Sequence, residues 1–269
     1  MHMISRTIST RGVANVRAAL RVACAVLLAC AAAGCAKLAA VDHDALWKIV
    51  YLQCVPAAQA GSHNYGQCTT VDLQRRYAIL KDISGRAQHL LIPTDRVTGI
   101  ESPQILEPGA PSYWADAWTS RRYVEASLGK SLNQPLADNQ IGIEINSEYR
   151  RSQDQLHIHI DCMRADVTDA LARHRDDAPG EWRWDTVDGK RYRIMRVTSL
   201  TDASDPFRLV ARDQIGPQAM ALQTILVTGA GSSAPTDGWL ALNSDLDVTG
   251  GTGTAEGLLD HACRIAGRS

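Results

Sequence analysis

The sequence predicts an α+β fold in which helices pack on a mostly antiparallel sheet. Short apolar runs lie between turn-forming segments at several places along the chain, as strands do. Two of these runs are separated by one short turn, which is typical of a β-hairpin and therefore of antiparallel pairing. Longer amphipathic stretches between the runs predict the helices, and the sequence contains no repeat of fixed period.

The first elements are a helix and a hairpin. Residues 42–55 predict the helix, because their apolar side chains recur at helical spacing behind acidic residues that suit a helix start. Residues 56–68 are polar and contain glycine, so they predict a loop. Residues 77–80 and 89–92 form the predicted hairpin, and Pro93 ends its second strand because proline cannot donate to the ladder.

The middle of the chain predicts two helices and two strands. Residues 112–130 show the clearest helical pattern, with large apolar side chains among charged ones. Residues 141–145 alternate like a strand that ends at Asn146. A further strand is predicted at residues 155–162, and a helix or helical turn at residues 165–175.

The chain beyond residue 179 is rich in turns, and its predicted elements are short. Strands are predicted at residues 191–197, 220–227 and 239–242, a loop at residues 250–253, and a closing helix at residues 255–265. No function is predicted for residues 176–250.

Residues 1–40 differ from the rest of the chain in charge. They contain five basic residues and no acidic one, and residues 22–36 are uncharged and apolar. This run is shorter than the roughly 20 residues of a membrane-spanning helix, and it fits the core of a secretory signal. The sequence therefore predicts export, with a signal or membrane-anchor segment at residues 1–40. Cleavage, lipid attachment at Cys30 or Cys35, and retention as a short anchor are the alternatives for this segment.

The remaining residues, 41–269, are acidic overall. Five of the 28 basic residues lie in the first segment, which leaves 23 basic against 29 acidic side chains, a net charge of −6. This balance does not suggest a nucleic-acid-binding protein, because affinity for a phosphate backbone comes from clustered lysine and arginine. It does not argue against binding one small nucleotide.

The cysteines support export. Three of the seven lie in residues 1–40, and the other four are Cys54, Cys68, Cys162 and Cys263. An even number in an exported domain predicts two disulfides, for which four cysteines allow three pairings. We favour Cys54–Cys68, which closes a short polar loop, and Cys162–Cys263, which would tie the closing helix to the strand at residues 155–162. Four buried free thiols are the alternative, and they would suit a cytosolic body better.

The strand at residues 155–162 carries the candidate site. Alternate side chains of a strand share a face, so Gln155, His157, His159 and Asp161 point one way and an apolar set points the other. Two histidines in this arrangement lie about 7 Å apart, which lets them line a phosphate or a phosphate chain. A neutral imidazole is a good nucleophile toward phosphorus. The strand therefore predicts a nucleotide-phosphate site in which His157 attacks.

Two other interpretations of the paired histidines stay open at this point. Both side chains could be solvated surface residues. Alternatively, His157 and His159 could bind zinc with Asp161 or His89, because two histidines two residues apart on a strand are a known ligand spacing. The sequence does not identify a proper third ligand.

The order of these segments resembles the histidine-triad (HIT) family of nucleotidyl hydrolases and transferases, whose members share a hairpin, a helix, a strand ended by asparagine and a final histidine strand. The resemblance implies that Asp82, in the hairpin turn, holds the ribose hydroxyls. It also implies that Asn146 belongs to the site and that Ser152 contacts the phosphate. His89 is either a contact of the phosphate or base, or a packed strand residue.

The final strand departs from the HIT pattern, because Gln155 stands where the first histidine is expected. In this register His157 corresponds to the central, nucleophilic histidine and His159 to the last one. A register two residues later would make His159 the nucleophile and put Asp161 in the third place. The first register is preferred because it also aligns Ser152.

Three segments resemble one family within this group more closely, the bacterial CDP-diacylglycerol pyrophosphatases. They are Leu-Trp-Lys-Ile-Val followed by Gln-Cys-Val-Pro at residues 46–56, Thr-Gly-Ile-Glu-Ser-Pro at residues 98–103, and Arg-Ser-Gln-Asp-Gln-Leu-His-Ile-His-Ile at residues 151–160. The resemblance implies a HIT-like catalytic domain at residues 41–269, with a core at about residues 44–175 and an α+β extension at about residues 176–269.

This resemblance implies hydrolysis of CDP-diacylglycerol to CMP and phosphatidate through a nucleotidyl-histidine intermediate, in phospholipid metabolism. It implies no cofactor or metal ion, attachment to the membrane through the N-terminal segment, and a bacterial inner-membrane location with the catalytic body on the periplasmic side. Trp114 and Trp118 either line a lipid-facing side or pack in the core. The alternative functions are a HIT hydrolase acting on another nucleotide, such as a dinucleoside polyphosphate, and a non-catalytic envelope lipoprotein that binds nucleotide or metal. The sequence does not predict an oligomeric state.

Overall fold

The structure, a computed structural model, describes residues 41–132, 134–216, 218–231 and 238–267. The predicted signal or anchor segment, with Cys30 and Cys35, lies outside the described residues. Within the described ranges, no helix combines the length and hydropathy that a membrane span requires.

The elements are short helices and strands. The α-helices are α1 (Ala45–Ile49), α2 (Val55–Gln59), α3 (Tyr113–Thr119), α4 (Arg122–Leu128), α5 (Ala165–Leu171) and α6 (Pro206–Ala211). A π-helical turn, Val50–Cys54, joins α1 to α2. The strands are β1 (Cys68–Asp72), β2 (Tyr77–Lys81), β3 (His89–Pro93), β4 (Ile141–Ile145), β5 (Ile158–Cys162), β6 (Arg183–Val187), β7 (Lys190–Val197), β8 (Gln223–Gly229) and β9 (Trp239–Asp245).

These strands form one nine-stranded sheet with the order β1-β2-β3-β5-β4-β8-β9-β7-β6. Every pair of neighbours in this sheet is antiparallel. The predicted α+β class with a mostly antiparallel sheet is therefore confirmed. The strands that follow residue 176 continue the sheet beyond β4, so they share its hydrogen-bonded ladder with the strands before them.

The two faces of the sheet bury different cores. One face packs against α3, α4 and α6 through a large apolar cluster that includes Ile158 and Phe207. Trp114 and Trp118 both belong to this cluster and are buried, which supports core packing and not the lipid-facing alternative. The other face has two smaller clusters, one under α1 and α2 and one under α5.

Polar side chains separate the two smaller clusters on that second face. His159 of β5 pairs with Leu90 of β3 on one side and with Glu144 of β4 on the other. Directly paired residues of an antiparallel sheet point to the same face. Leu90 belongs to the cluster under α1, and Leu226, the next partner of Glu144, belongs to the cluster under α5. The candidate strand therefore brings its polar side chains to the surface between two apolar patches.

The predicted hairpin is present as β2 and β3, but the candidate strand is shorter than predicted. It begins at Ile158, not at Gln155, because residues 152–155 form bends whose polar groups bond to α1 and to the segment after β3. Two strands, β1 and β6, were not predicted. Both lie at the outer edges of the sheet and are more exposed than the inner strands, so their apolar pattern is weak.

Two of the helix predictions are wrong. The predicted helix at residues 112–130 is broken between α3 and α4, where Arg121 turns back, donates to the Trp118 carbonyl oxygen at 3.0 Å and lies over the Trp118 ring. The predicted closing helix is replaced by two 3₁₀ turns, Glu256–Leu258 and Arg264–Gly267. Between these turns Leu259 bridges to Met163 beside β5, which holds the chain extended.

Both favoured disulfides are present. Cys54 and Cys68, with Cα atoms 5.9 Å apart, join the helical segment to β1. Cys162 and Cys263, with Cα atoms 5.2 Å apart, join β5 to the C-terminal segment. Each bridge thus ties a flank of the candidate site to the sheet.

Candidate active site

A cleft of about 620 Å³ opens on the second face of the sheet, where β5 begins. Five of the seven predicted catalytic and binding residues line it, namely Asp82, Asn146, Ser152, His157 and His159. They come from four separate parts of the chain: the β2–β3 turn, the end of β4, the loop before β5, and β5 itself. The fold therefore assembles most of the predicted set around one cavity.

His157 is held with one ring nitrogen bound and the other available. The residue is buried, and its Nδ1 lies 2.7 Å from the backbone oxygen of Gln155. Because a carbonyl oxygen only accepts, Nδ1 carries the proton and Nε2 keeps its lone pair. This is the tautomer that a nucleophile attacking through Nε2 requires.

His159 has the opposite tautomer. Its Nδ1 lies 2.6 Å from Nε2 of Gln88, which is buried immediately before β3. An amide nitrogen only donates, so Nδ1 of His159 accepts and its proton is on Nε2. That Nε2–H is buried and has no hydrogen-bond partner among the described residues. His159 therefore offers a donor, and the rings of His157 and His159 lie 5.1 Å apart.

Burial keeps both imidazoles neutral. Burial, with a smaller contribution from repulsion by a charged His159, lowers the pKa of His157 to about 4. Burial, with a smaller contribution from the charge of His261, lowers the pKa of His159 to about 4. At neutral pH the site thus contains an uncharged nucleophile beside an uncharged donor.

Asp82 lies in a turn that the backbone holds tightly. Its Oδ1 accepts from the Ser84 backbone N–H at 2.9 Å, and its own N–H donates to the Gln88 backbone oxygen at 3.1 Å. Asn146 follows β4 and is buried, and its Oδ1 has no partner among the described residues. The carboxylate and the amide therefore lie at the cleft with oxygens that can accept from ribose hydroxyls.

The loop before β5 explains why Ser152 faces the cleft. Arg151 is nearly buried and its Nη1 donates to Glu101 Oε2 at 2.5 Å. Gln153 accepts from the backbone N–H of Leu46 at 3.1 Å, at the start of α1. Gly99 packs directly on Arg151, and a Cβ at that position would overlap the guanidinium. The neighbours of Ser152 are thus fixed to other elements, and its hydroxyl remains beside the histidines.

Gln155 does not contact the cleft through its side chain. Its Nε2 donates to the backbone oxygens of Pro93, at 3.1 Å, and Asp95, at 2.8 Å, so the amide lies outside the cleft in which it was expected to contact phosphate. The position still serves the site, because the Gln155 backbone oxygen orients His157. Residue 155 is outside β5, which is why strand alternation predicted its direction wrongly.

His89 lies away from the cleft. It pairs with Ile160 and Lys81, so its side chain points to the face opposite His159. Its Nδ1 bonds the Ala87 backbone oxygen at 2.8 Å and its ring packs near Tyr123. His89 is therefore a packed strand residue and does not contact the phosphate or the base. It also cannot complete a zinc site with the paired histidines.

Asp161 shares the face of His159 but has another partner. Its Oδ2 lies 2.8 Å from Nδ1 of His261, and this hydrogen bond raises the pKa of His261. The other ring nitrogen of His261 lies 3.5 Å from Glu256 Oε1, and Glu256 lines the cleft. Among the described residues, Asp161 lies at metal-ligand spacing from Cys162 and Cys263. The sulfurs of these two cysteines form a disulfide.

Several residues of the cleft were not predicted from the sequence. Lys81 and Arg150 supply positive charge at its walls, and Glu256 supplies a carboxylate from the C-terminal segment. Gln88 fixes the proton on His159, although it is 71 residues away in the chain. Arg150 precedes the Arg-Ser-Gln motif and Lys81 adjoins Asp82, so these two had a usable signal. Gln88 and Glu256 depend on chain crossings that spacing does not reveal.

Glu144 is a second buried acid beside the site. It pairs with His159 across the β4–β5 ladder and accepts from Thr224 Oγ1 at 3.1 Å and from the Ala255 backbone N–H at 3.0 Å. Burial raises its pKa to about 8, so the carboxyl is protonated at neutral pH. It therefore adds no negative charge next to His159 under those conditions.

Comparisons with known proteins show the family to which this chain belongs. A curated CDP-diacylglycerol pyrophosphatase from Yersinia pestis is 36% identical over 249 residues, which cover 89% of this chain and 92% of the relative. Among solved structures, yeast Ap4A phosphorylase Apa2 in complex with AMP matches with a TM-score of 0.36 and 13% identity, over 62% of this chain and 55% of that one, a likeness too weak to support an inference. The family model described as CDH, CDP-diacylglycerol pyrophosphatase, matches residues 41–267. With nearly the whole body matched, this chain belongs to the CDP-diacylglycerol pyrophosphatase family.

Proposed function

We propose that this protein hydrolyses CDP-diacylglycerol to CMP and phosphatidate through a covalent nucleotidyl-histidine. The observation that carries the proposal is the pair of buried, neutral histidines with opposite tautomers at one cleft. His157 presents a lone pair and His159 presents an N–H. A substitution at phosphorus needs both, a nucleophile and a donor to the oxygens that gain charge.

In the first step Nε2 of His157 attacks the phosphorus that bears the cytidine. The new N–P bond forms as the bond from this phosphorus to the bridging oxygen breaks, and phosphatidate leaves with the electron pair. Phosphatidate is a phosphate monoester and a good leaving group, so the step needs no strong general acid. The imidazole becomes positively charged, and the Gln155 carbonyl oxygen at Nδ1 stabilises that charge.

In the second step water attacks the same phosphorus, the N–P bond breaks with its electron pair returning to Nε2, and a proton of the water passes to solvent. CMP is released with His157 restored. His159, Ser152 and Arg150 donate to the non-bridging and bridging oxygens in both steps. Asp82 binds the ribose hydroxyls at the other end of the cleft. The chemistry uses side chains of this chain alone and requires no cofactor or metal ion.

We assign residues 41–269 to the catalytic domain and residues 1–40 to a signal or membrane anchor. The catalytic body then lies on the periplasmic side of the bacterial inner membrane, where its lipid substrate is present. The basic, apolar character of residues 1–40 and the two disulfides support this location, because disulfides persist in oxidising compartments.

The test is to incubate the purified full-length protein with CDP-diacylglycerol and to measure CMP release. We expect His157→Gln to lower kcat by about a thousandfold or more, and His159→Gln to lower it by about tenfold to a hundredfold. Quenching the wild-type reaction in alkaline detergent should trap CMP on His157, because the P–N bond hydrolyses in acid and survives in alkali. Full activity of His157→Gln, or CMP trapped on His159, would contradict the assignment of the nucleophile.

The same assay separates the other functions. Release of nucleotide from a dinucleoside polyphosphate but not from CDP-diacylglycerol would favour a HIT hydrolase of different specificity. Binding of nucleotide without turnover would favour a non-catalytic envelope protein.

A further inference from the structure

One wall of the cleft is apolar. The side chains that form it, which we call the apolar rim, are Leu46, Ile49, Leu80, Ile83 and Leu90. Leu80 and Leu90 are buried in the cluster under α1, and Leu46 and Ile49 of α1 pack against that cluster and are half-buried. The catalytic chemistry proposed above uses none of these side chains.

Ile83 is fully exposed at the tip of the β2–β3 turn. It lies between Asp82, which lines the polar part of the cleft, and Ser84. The Asp82 Oδ1 to Ser84 N–H bond of 2.9 Å fixes this turn. The fold therefore holds a large apolar side chain in water, directly beside the site, although burying it would be favourable.

Neighbouring elements have the character of a lipid-contacting surface. The helical segment that carries Leu46 and Ile49 also exposes Tyr51 and Leu52, each by more than half. Lys81, adjacent to Asp82, supplies positive charge at the same cleft. Apolar side chains with an aromatic and a nearby cation suit the boundary between acyl chains and anionic headgroups.

The chain itself limits where this surface can lie. The apolar run predicted to reach a membrane ends at residue 36, and α1 begins at Ala45. The eight residues between them span at most about 30 Å when extended. A retained anchor therefore holds the start of α1 within that distance of the bilayer.

We propose that the apolar rim docks on a phospholipid bilayer, with Ile83 inserted among the lipids. This proposal rests on the proposed function and specifies how the substrate reaches the site. The diphosphate and cytidine enter the polar part of the cleft. The glycerol and the first acyl carbons stay against Leu46, Ile49, Leu80 and Leu90, so the lipid does not have to leave the membrane.

The test compares Ile83→Asp with Ile215→Asp in the full-length protein. Ile215 is a matched control, because it is also a nearly fully exposed isoleucine but lies on the α6–β8 connection, away from the cleft. For each variant kcat/KM is measured on long-chain CDP-diacylglycerol in phosphatidylcholine and phosphatidylglycerol vesicles, and on a short-chain CDP-diacylglycerol dissolved as monomers. We expect the vesicle-to-monomer ratio to fall about tenfold or more in Ile83→Asp only. A ratio within twofold of the Ile215→Asp value would overturn the proposal.

A second measurement detects the contact directly. Tryptophan introduced as Ile83→Trp should gain a fluorescence component that brominated lipids in the same vesicles quench, and Ile215→Trp should not. Equal quenching in both variants would overturn the proposal. It would also be overturned if sedimentation velocity showed a dimer that Ile83→Asp loses, because the rim would then bind a second copy of the chain. If the wild type cleaves neither substrate, the proposed function is wrong and quenching alone decides the docking surface.

Discussion

Lowering the pH from 7.5 to 5 should leave most of the activity of this enzyme intact. The nucleophile must be neutral, and burial lowers the pKa of His157 from 6.5 to about 4. The group therefore stays unprotonated until the pH approaches 4. Because His159 repels the charged form of His157, the two histidines titrate as a coupled pair, and the acid limb belongs to the pair.

The size of the effect follows from the two pKa values. At pH 5 a histidine with a pKa of about 4 is about 90% neutral, whereas an ordinary one with a pKa of 6.5 is about 3% neutral. A buried nucleophile therefore keeps about 30-fold more activity at that pH than an exposed one would. The same pKa shifts make the folded protein less stable in acid. Both histidines bind protons at higher pH when unfolded, so the free energy of unfolding decreases as the pH falls from 6.5 towards 4.

The measurement is kcat/KM against pH, which reports the free enzyme. A short-chain, monomeric CDP-diacylglycerol is suitable, because its diphosphate stays ionised over the range. Enzyme held at pH 5 and returned to pH 7.5 should regain full activity, which separates titration from unfolding. An acid limb centred near pH 6.5, with circular dichroism unchanged, would refute the reasoning, because it would mean that the histidines are solvated.

Three further predictions concern groups that support the site. Gln88→Leu removes the donor that sets the tautomer of His159 and should lower kcat about tenfold with little change in KM. Cys263→Ser breaks the disulfide to β5 and should lower the free energy of unfolding by about 4 kcal/mol in urea, since the bridge spans 101 residues. Gly99→Ala places a Cβ against a buried guanidinium and should lower the melting temperature, with a cost of about 2 kcal/mol.

Each of these predictions has its own control. For Gln88→Leu, an unchanged melting temperature shows that the loss is catalytic, and a kcat within twofold of wild type would contradict the tautomer assignment. For Cys263→Ser, wild type treated with reductant should lose at least as much, because both disulfides are then reduced, and a change below about 1 kcal/mol in the variant would mean that the bridge contributes little. For Gly99→Ala, the matched variant is Gly267→Ala, which meets no atom within 4 Å, and equal effects would remove the packing argument.

Local pattern predicted much of the sheet. The hairpin of β2 and β3 and the alternation of β4 were readable because each strand carries its own apolar run between turn residues. The edge strands β1 and β6 lack such a run and were missed. The closing helix was predicted from apolar content, but the disulfide at Cys263 and the bridge from Leu259 to Met163 tie that segment to β5, and it forms two short 3₁₀ turns.

Two predicted site residues show the limit of strand alternation. Gln155 was assigned to the cleft as part of a strand, yet it precedes β5 and bonds to the carbonyl oxygens of Pro93 and Asp95. His89 is on a strand, but its register with Ile160 directs it to the opposite face. Periodicity orders the side chains within one strand, whereas the face that a neighbouring strand presents depends on pairing.

The sequence alone determined the kinds of group at the site: two histidines of alternate spacing, a carboxylate in a turn, and a serine in a motif shared with one family. The tertiary structure decided the protonation states and the surroundings of those groups. The proton positions on His157 and His159 are set by a carbonyl oxygen and by the amide of Gln88, and only folding brings Gln88 to hydrogen-bonding distance. The burial that lowers the pKa values of the two histidines exists only once distant segments pack together, and so does the apolar rim beside them. The reason is that desolvation and contact depend on neighbours in space and not on neighbours in the chain.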